Sequence, residues 1–174
     1  MEITVTAPGH LDCGGRTYRC ALGRGNIVGD KAEGDGGTPA GAYPLRRVLY
    51  RPDRLDAPAT GLPVEKIAPN QGWCDDPAHP DYNRQVQLPF SASHEELWRQ
   101  DAVYDVIVIL AHNDGPPVPG KGSAIFMHVA RPDYGASEGC VALALKDLLE
   151  VLAACGPGDT IRINPPDTAR APRK

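Results

Sequence analysis

The chain lacks the features that mark membrane, secreted and nucleic-acid-binding proteins. Its 174 residues contain no apolar run near the roughly 18 residues that a membrane-spanning helix needs. The net charge is -4 and there is no basic block, so nucleic acid is not an expected partner. Residues 1–8 carry neither the basic nor the apolar region of a secretion signal. We therefore expect a cytoplasmic protein, or a periplasmic one if a signal has been removed.

Cysteine is scarce and is not arranged for structural cross-linking. The number of cysteines is odd and no two have CxxC spacing, which argues against both a disulfide framework and a zinc knuckle. The histidines do not have metal-ligand spacing relative to the nearby aspartates, so no metal site is predicted. The five cysteines are Cys13, Cys20, Cys74, Cys140 and Cys155.

The composition indicates one globular domain of mostly β-structure. The 19 glycines and 18 prolines are spread along the chain, as expected for many turns between short strands. Two short helices are predicted, one over residues 145–152 from leucine periodicity and one from a capping box at Ser93 to about Gln100. We predict a mostly-β domain with two or three short helices over residues 1–164 and a loose tail over 165–174. The strand-like segments are 2–7, 16–22, 42–50, 62–68, 103–111, 123–129 and 159–164.

A histidine and a cysteine close to one another in the sequence form the candidate site. An apolar strand ends near His128, and alternation places this side chain on the same face as Ala124 and Phe126. A turn follows that contains Gly139 and Cys140. An imidazole beside the thiol would raise the thiolate fraction, and the two turn amides could face an oxyanion. A packed core histidine and a buried structural thiol remain the alternative.

Chain order favours Cys140 over the other cysteines. Papain-like enzymes place the cysteine before the histidine, an order that would here require Cys74 with His112 or His128 as its base. Two aspartates follow Cys74 directly and would raise the pKa of its thiol, which makes it the weaker nucleophile. Arg131 lies between the histidine and Cys140, where its guanidinium could bind a substrate carboxylate or form a surface salt bridge.

These residues resemble the L,D-transpeptidase catalytic-domain family, also called YkuD-type. That family has a histidine, an intervening segment and a Ser/Thr-His-Gly-Cys-hydrophobic-Arg/Asn block. His128 would be the first histidine, and the glycine-rich residues 34–43 resemble the Thr-Pro-x-Gly-aromatic segment of the family; without the resemblance, 34–41 would be only a turn. Glu138 replaces the histidine of the block, Ala142 replaces the Arg/Asn, and the separation of His128 from the cysteine is shorter than usual. The residues that match the block are Ser137, Gly139, Cys140 and Val141.

The resemblance implies a β-sandwich enzyme that performs acyl transfer through a thioester. Cys140 would attack a peptidoglycan tetrapeptide stem at the bond between its third residue, commonly diaminopimelate, and D-Ala. His128 would act as base, oriented by the carbonyl of Val129, and Gly139 would contribute to the oxyanion hole. Arg131 and Ser137 would bind substrate. No metal or organic cofactor is implied, and the oligomeric state stays open.

The possible enzymatic functions differ in the group that accepts the acyl chain. Water gives L,D-carboxypeptidase activity, whereas the amine of a second stem gives a 3-3 cross-link. With a cytoplasmic location we expect soluble muropeptides as partners, no membrane, and hydrolysis in muropeptide recycling. An L,D-transpeptidase of the cell wall and a non-catalytic wall-peptide-binding domain are the alternatives.

Overall fold

The computed structural model describes residues 1–167, and these residues form fourteen β-strands and one α-helix. None of the described helices is long and apolar enough to cross a membrane. The strands are short and are joined by turns, as the glycine and proline content predicts. The elements are β1 (Glu2–Thr6), β2 (His10–Cys13), β3 (Arg16–Arg19), β4 (Ile27–Val28), β5 (Thr38–Pro39), β6 (Gly41–Tyr50), β7 (Val64–Lys66), β8 (Gln71–Cys74), β9 (Gln85–Gln87), β10 (His94–Glu96), β11 (Val106–Leu110), β12 (Phe126–Val129), β13 (Val141–Leu143), α1 (Leu145–Ala153) and β14 (Thr160–Ile163).

One nine-stranded sheet organises the molecule. Its strand order is β13-β12-β11-β6-β14-β1-β2-β3, with β7 paired to β6. Strand β14 lies between β6 and β1, antiparallel to the first and parallel to the second. A three-stranded sheet with the order β10-β8-β9 and a two-stranded sheet of β4 and β5 complete the fold. The prediction of mostly β-structure is therefore confirmed.

Strand β11 separates two hydrophobic cores. All five of its residues are buried, with Val106, Val108 and Leu110 in the larger core and Ile107 and Ile109 in the smaller one. A strand covered on both faces needs this continuous apolar sequence, because side chains alternate between the faces. The prediction that residues 1–164 form one domain stays a prediction.

The single helix, α1, closes the larger core beside β12. Leu148, Val151 and Leu152 are buried and contribute to that core, as the leucine periodicity predicted. The predicted helix over 145–152 is confirmed within one residue. Of the predicted tail, residues 165–167 have no regular structure and the rest lies outside the described residues.

The helix predicted from Ser93 is wrong. Residues 94–96 form β10, which pairs with β8 so that His94 faces Cys74. Ser93 does not cap a helix, because its hydroxyl donates to the carboxylate of Asp75 at 2.6 Å. Leu97 is fully buried in the smaller core. A one- to two-turn helix is marginal on its own, so strand pairing and the burial of Leu97 override the local capping signal.

Candidate active site

His128 lies on β12, at the edge of the smaller core. Its strand neighbours Met127 and Val129 point into the larger core, whereas Phe126 belongs to the smaller core. The predicted alternation is therefore confirmed. In the parallel pairing of β12 with β13, His128 stands opposite Ala142.

The structure brings Cys140 to the same face of the sheet as His128. Cys140 directly precedes β13 and is two residues before Ala142, the residue that faces His128. Because strand side chains alternate, the thiol and the imidazole lie on one side of the two strands. Both line a cavity of about 260 Å³, which we call the thiol cavity; Tyr104, Glu95 and Arg131 are also among its walls.

A main-chain carbonyl fixes the tautomer of His128. Its Nδ1 lies 3.0 Å from the carbonyl oxygen of Val129, the contact that the resemblance implied. A carbonyl can only accept, so Nδ1 carries the proton and Nε2 has a free lone pair. Nε2 has no hydrogen-bond partner within residues 1–167. Burial lowers the pKa of His128 to about 4, because desolvation outweighs the contact with Val129. The ring is therefore a neutral base at pH 7.

The thiol of Cys140 is neutral as well and is bound to the main chain. Its sulfur donates to the carbonyl of Ala124 at 3.2 Å and accepts from the amide of Phe126 at 3.4 Å. Burial, with the nearby charge of Glu95 second, raises the pKa of Cys140 to about 12. The expected enrichment in thiolate is thus absent from the resting site. For Cys140 to act as a nucleophile, its proton would have to move as the sulfur leaves its main-chain partners.

Ser137 closes the turn that presents Cys140. Its hydroxyl donates to the carbonyl of Cys140 at 2.7 Å and accepts from the amide of Gly139 at 3.2 Å. The predicted substrate contact of Ser137 and the predicted oxyanion role of Gly139 stay predictions, since both groups are engaged within the turn. The amide of Cys140 has no acceptor within the described chain and is the donor that remains available.

Close backbone packing explains the glycine before Cys140. Gly139 has a φ of +137°, and a Cβ added there would lie 2.8 Å from the carbonyl oxygen of Gly37. A second glycine, Gly23, packs against both backbone segments, and a Cβ added to it would lie 2.1 Å from the carbonyl oxygen of Gly36. The glycine-rich segment 34–41 is thus more than the predicted turn, because it contains β5 and packs against the Cys140 turn.

Three charged residues near Cys140 differ in their partners and in their exposure. Glu138 is exposed at the cavity rim, and its carboxylate accepts from Arg24 at 2.9 Å. The carboxylate whose charge raises the pKa of the thiol is that of Glu95, which lies in the segment that the capping box predicts as a helix. Arg131 lies exposed at the cavity and forms no ion pair within residues 1–167. Its guanidinium is thus available for the predicted substrate carboxylate, which stays a prediction.

Sequence reasoning also missed Tyr104, which links Glu95 to His128. The Tyr104 hydroxyl donates to the Glu95 carboxylate at 3.0 Å. Its ring packs edge-on against His128, with centroids 5.5 Å apart, and against Phe126 at 6.0 Å. No spacing signal connects residues 95, 104 and 128, because they come from separate strands and loops.

The alternative nucleophile does not share this environment. Cys74 is fully buried in β8 and is not a wall of the thiol cavity, and His112 packs edge-on against Tyr43 instead. Among residues 1–167, no group of three or more His, Cys, Asp or Glu side chains could hold a metal ion.

The sequence carries a family signature over most of its length. Residues 12–163 match the family model of the L,D-transpeptidase catalytic domain, YkuD. The chain belongs to this family. L,D-transpeptidase 1 of Mycobacterium tuberculosis is a similar solved structure, with 13% sequence identity and a TM-score of 0.45. The match covers 94% of this chain and 58% of that protein, so the chain spans less than two thirds of its length. A comparison with curated proteins finds no match.

Membership of the L,D-transpeptidase family confirms the resemblance that the His128 and Cys140 segments indicated. The family is one of cysteine L,D-transpeptidases. In this member His128 lies on β12, Cys140 directly precedes the adjacent parallel strand β13, and burial keeps both side chains electrically neutral at pH 7.

Proposed function

We propose that this chain is a cysteine L,D-carboxypeptidase that removes the terminal D-Ala from peptidoglycan tetrapeptide stems. The observation that carries the proposal is the placement of His128 and Cys140 on one face of β12 and β13, beside the thiol cavity. The free lone pair on Nε2 of His128 supports acid–base catalysis in this cavity. Family membership supports acyl transfer on peptidoglycan stems.

Acylation begins with proton transfer within a neutral pair. Nε2 of His128 takes the proton of the Cys140 thiol as the sulfur bonds to the carbonyl carbon of the third stem residue. The amide of Cys140 donates to the oxyanion, joined by that of Gly139 once it leaves the Ser137 hydroxyl. His128 then gives the proton to the leaving amine, the C–N bond breaks, and D-Ala departs from a thioester.

Hydrolysis completes the cycle. Water attacks the thioester and gives a proton to His128, and the C–S bond breaks as the thiolate is reprotonated. The net reaction consumes one water and yields a tripeptide stem and D-Ala. Carboxylates along the cavity favour water over an amine as acceptor, because a nearby negative charge keeps an amine protonated and non-nucleophilic.

The substrates in this proposal are soluble muropeptides in the cytoplasm, where the enzyme trims recycled tetrapeptides to tripeptides. Cell fractionation with an antibody against the native protein tests this location. Recovery of the protein in the periplasm would instead favour the alternative of an L,D-transpeptidase acting on the wall.

The first experiment uses the purified protein and its Cys140→Ala variant with a disaccharide-free tetrapeptide stem. Mass spectrometry should show release of one D-Ala by the unmodified protein alone. An added stem peptide with a free amine then tests the acceptor, since cross-linked dimers would establish transpeptidation. Binding of the stem without any release of D-Ala would favour a wall-peptide-binding domain and would overturn the proposal.

A further inference from the structure

Three carboxylates in the thiol cavity have no cationic partner. Glu33, Asp75 and Glu95 all line the cavity, and none forms an ion pair within residues 1–167. Their hydrogen bonds come from neutral hydroxyl groups. Tyr82 and Ser123 donate to Glu33 at 3.1 and 2.7 Å. The cavity therefore contains three carboxylates that no ion pair within residues 1–167 neutralises.

The cations of the cavity form no ion pair with these carboxylates within residues 1–167. Lys31 is buried and paired with Asp35, and Arg99 is paired with Asp101 at 2.6 Å. Neither aspartate is a wall of the cavity. Arg131 is the one cavity cation that lacks an ion pair in the described chain, so three unpaired carboxylates face one unpaired guanidinium.

Glu95 is the carboxylate that is linked to His128 through Tyr104. The hydroxyl of Tyr104 donates to it at 3.0 Å, and the Tyr104 ring is buried against His128. The carboxylate is close enough to Cys140 for its charge to raise the pKa of the thiol. Burial raises the pKa of Glu95 itself and Asp75 adds to the rise, whereas the Tyr104 hydrogen bond and the charge of Arg99 oppose it.

The reaction chemistry determines which substrate group reaches Glu95. The third stem residue supplies the carbonyl that Cys140 attacks, so its side chain starts within two bonds of the reacting carbon. The side chain of the third stem residue must therefore share the cavity with the thiol and with the free Nε2 of His128. His128 is itself only 6% exposed. An acceptor amine is the poorer occupant, because carboxylates would hold it in the unreactive protonated form.

We propose that Glu95 binds the side-chain ammonium of the third stem residue, with Asp75 and Glu33 adding to the negative potential. Glu95 thereby selects stems whose third residue carries an amine. This inference rests on the proposed function for the identity of the substrate. Tyr104 is a positioning residue that holds the Glu95 carboxylate in place.

A binding experiment tests the inference without turnover. Isothermal titration measures the affinity of the Cys140→Ala protein for two tetrapeptides, one with lysine and one with norleucine as the third residue. We expect lysine to bind about tenfold more tightly, as for one charge-assisted hydrogen bond. Glu95→Gln, introduced into the Cys140→Ala protein, should remove this preference. The affinity for the norleucine peptide should stay within about threefold of that of the Cys140→Ala protein.

Two controls separate recognition from structural damage. Glutamine keeps an acceptor for the Tyr104 hydroxyl, so the thermal melt of Glu95→Gln should stay close to that of the parent. Glu96→Gln alters the adjacent residue of β10, which is exposed and is not a wall of the cavity. This control should keep the lysine preference. Equal weakening of both peptides by Glu95→Gln, or no change for either, would overturn the inference.

The same peptides distinguish failure of the inference from failure of the proposed function. With Cys140 present, Glu95→Gln should raise KM for the lysine peptide about tenfold and change kcat less than about threefold. Ammonium-dependent binding without release of D-Ala would contradict the proposed function alone. Equal kcat/KM of the unmodified enzyme for both peptides would contradict the inference alone.

Discussion

At the scale of single residues, the thiol of Cys140 and the imidazole of His128 are both uncharged in the resting site. A preformed thiolate–imidazolium pair would need a thiol of low pKa, whereas burial raises that of Cys140 to about 12 and lowers that of His128 to about 4. Burial thus opposes charge on both groups. In the proposed mechanism, the substrate displaces the sulfur from Ala124 and the proton then moves to His128.

Alkylation of Cys140 should report this neutrality. With a pKa near 12, the thiolate fraction and the rate with iodoacetamide should rise about tenfold for each pH unit between pH 7 and 10. Peptide-resolved mass spectrometry measures the rate for Cys140 separately from the other cysteines. His128→Ala should barely alter the profile. A rate that is independent of pH above about 6 would contradict the neutral pair.

Asn83 is a buried amide with every hydrogen-bonding position occupied. Its oxygen accepts from the Trp73 indole and from the amide of Ala124, both at 3.0 Å. Its nitrogen donates to the carbonyls of His112 and Asn113 at 3.0 and 2.8 Å. Asn83 thereby anchors Ala124, whose carbonyl accepts the thiol of the candidate nucleophile.

Loss of this amide should be costly. Asn83→Ala leaves several buried groups unpaired and places alanine at a φ of +57°, so we expect a loss of about 4 kcal/mol in the free energy of unfolding. Urea denaturation measures the loss. Asn70→Ala, at an exposed asparagine, is the control and should change stability by less than about 0.5 kcal/mol. A comparable loss in both variants would show that the network has no special role.

His112 gives the fold a dependence on acid. Burial lowers its pKa to about 4, and its Nδ1 is buried without a hydrogen-bond partner among residues 1–167. Between pH 6.5 and 4 the unfolded chain therefore binds the extra proton, so stability falls as the pH falls through this window. From pH 7 to 5 the loss is about 2 kcal/mol for this histidine.

Replacement of His112 should remove that share of the acid sensitivity. We expect His112→Leu to lose about 2 kcal/mol less than the parent protein between pH 7 and 5, as measured by urea denaturation at both values. Tyr43→Phe alters the ring that packs against His112 and should keep the parent's pH dependence. Identical pH dependence of His112→Leu and the parent would refute this assignment.

At the scale of elements, the segment around Gly23 joins the two loops that border the thiol cavity. The amide of the next residue, Arg24, donates to the carbonyl of Ser137, and the amide of Gly25 donates to the carbonyl of Gly36. Gly23 itself passes so close to both loops that no side chain fits. Backbone contacts to the Gly23 segment thus hold the Cys140 turn, in addition to the Ser137 hydroxyl within the turn.

Gly23→Ala should disrupt both loops. Its Cβ would lie 2.1 Å from the Gly36 oxygen and 2.9 Å from the Gly139 Cα, and both are backbone atoms. We expect a loss of about 3 kcal/mol or more in thermal and urea denaturation. Gly29→Ala is the matched control, since no atom lies within 4 Å of its Cβ position. A Gly23→Ala protein as stable as this control would contradict the packing argument.

Local patterns predicted some elements well and others not at all. The leucines of α1 and the alternation around His128 repeat within one element, so they were visible in the sequence. Strand β8, with the sequence Gln-Gly-Trp-Cys, has little β-propensity and depends on pairing with β9 and β10. That tertiary pairing also overrode the capping signal at Ser93.

At the scale of the whole molecule, the parts of the site that are near in the sequence could be predicted, and those from distant segments could not. His128 on β12 and Cys140 just before β13 are near in the sequence, and therefore they could be predicted together. Glu33 and Glu95 reach the cavity from distant segments, and no spacing rule connects them. The candidate pair could be inferred from the sequence, whereas the charge around it required the fold.

The parallel pairing of β1 with β14 also determines how the molecule should bear a mechanical load. Glu2 pairs with Thr160 and Val5 with Ile163, so handles on Glu2 and Ile163 would pull at opposite ends of two adjacent strands. Such a pull shears the whole ladder at once, whereas handles on His10 and Arg19 would unzip the β2–β3 hairpin one bond at a time. In optical tweezers the sheared pair should withstand the larger force.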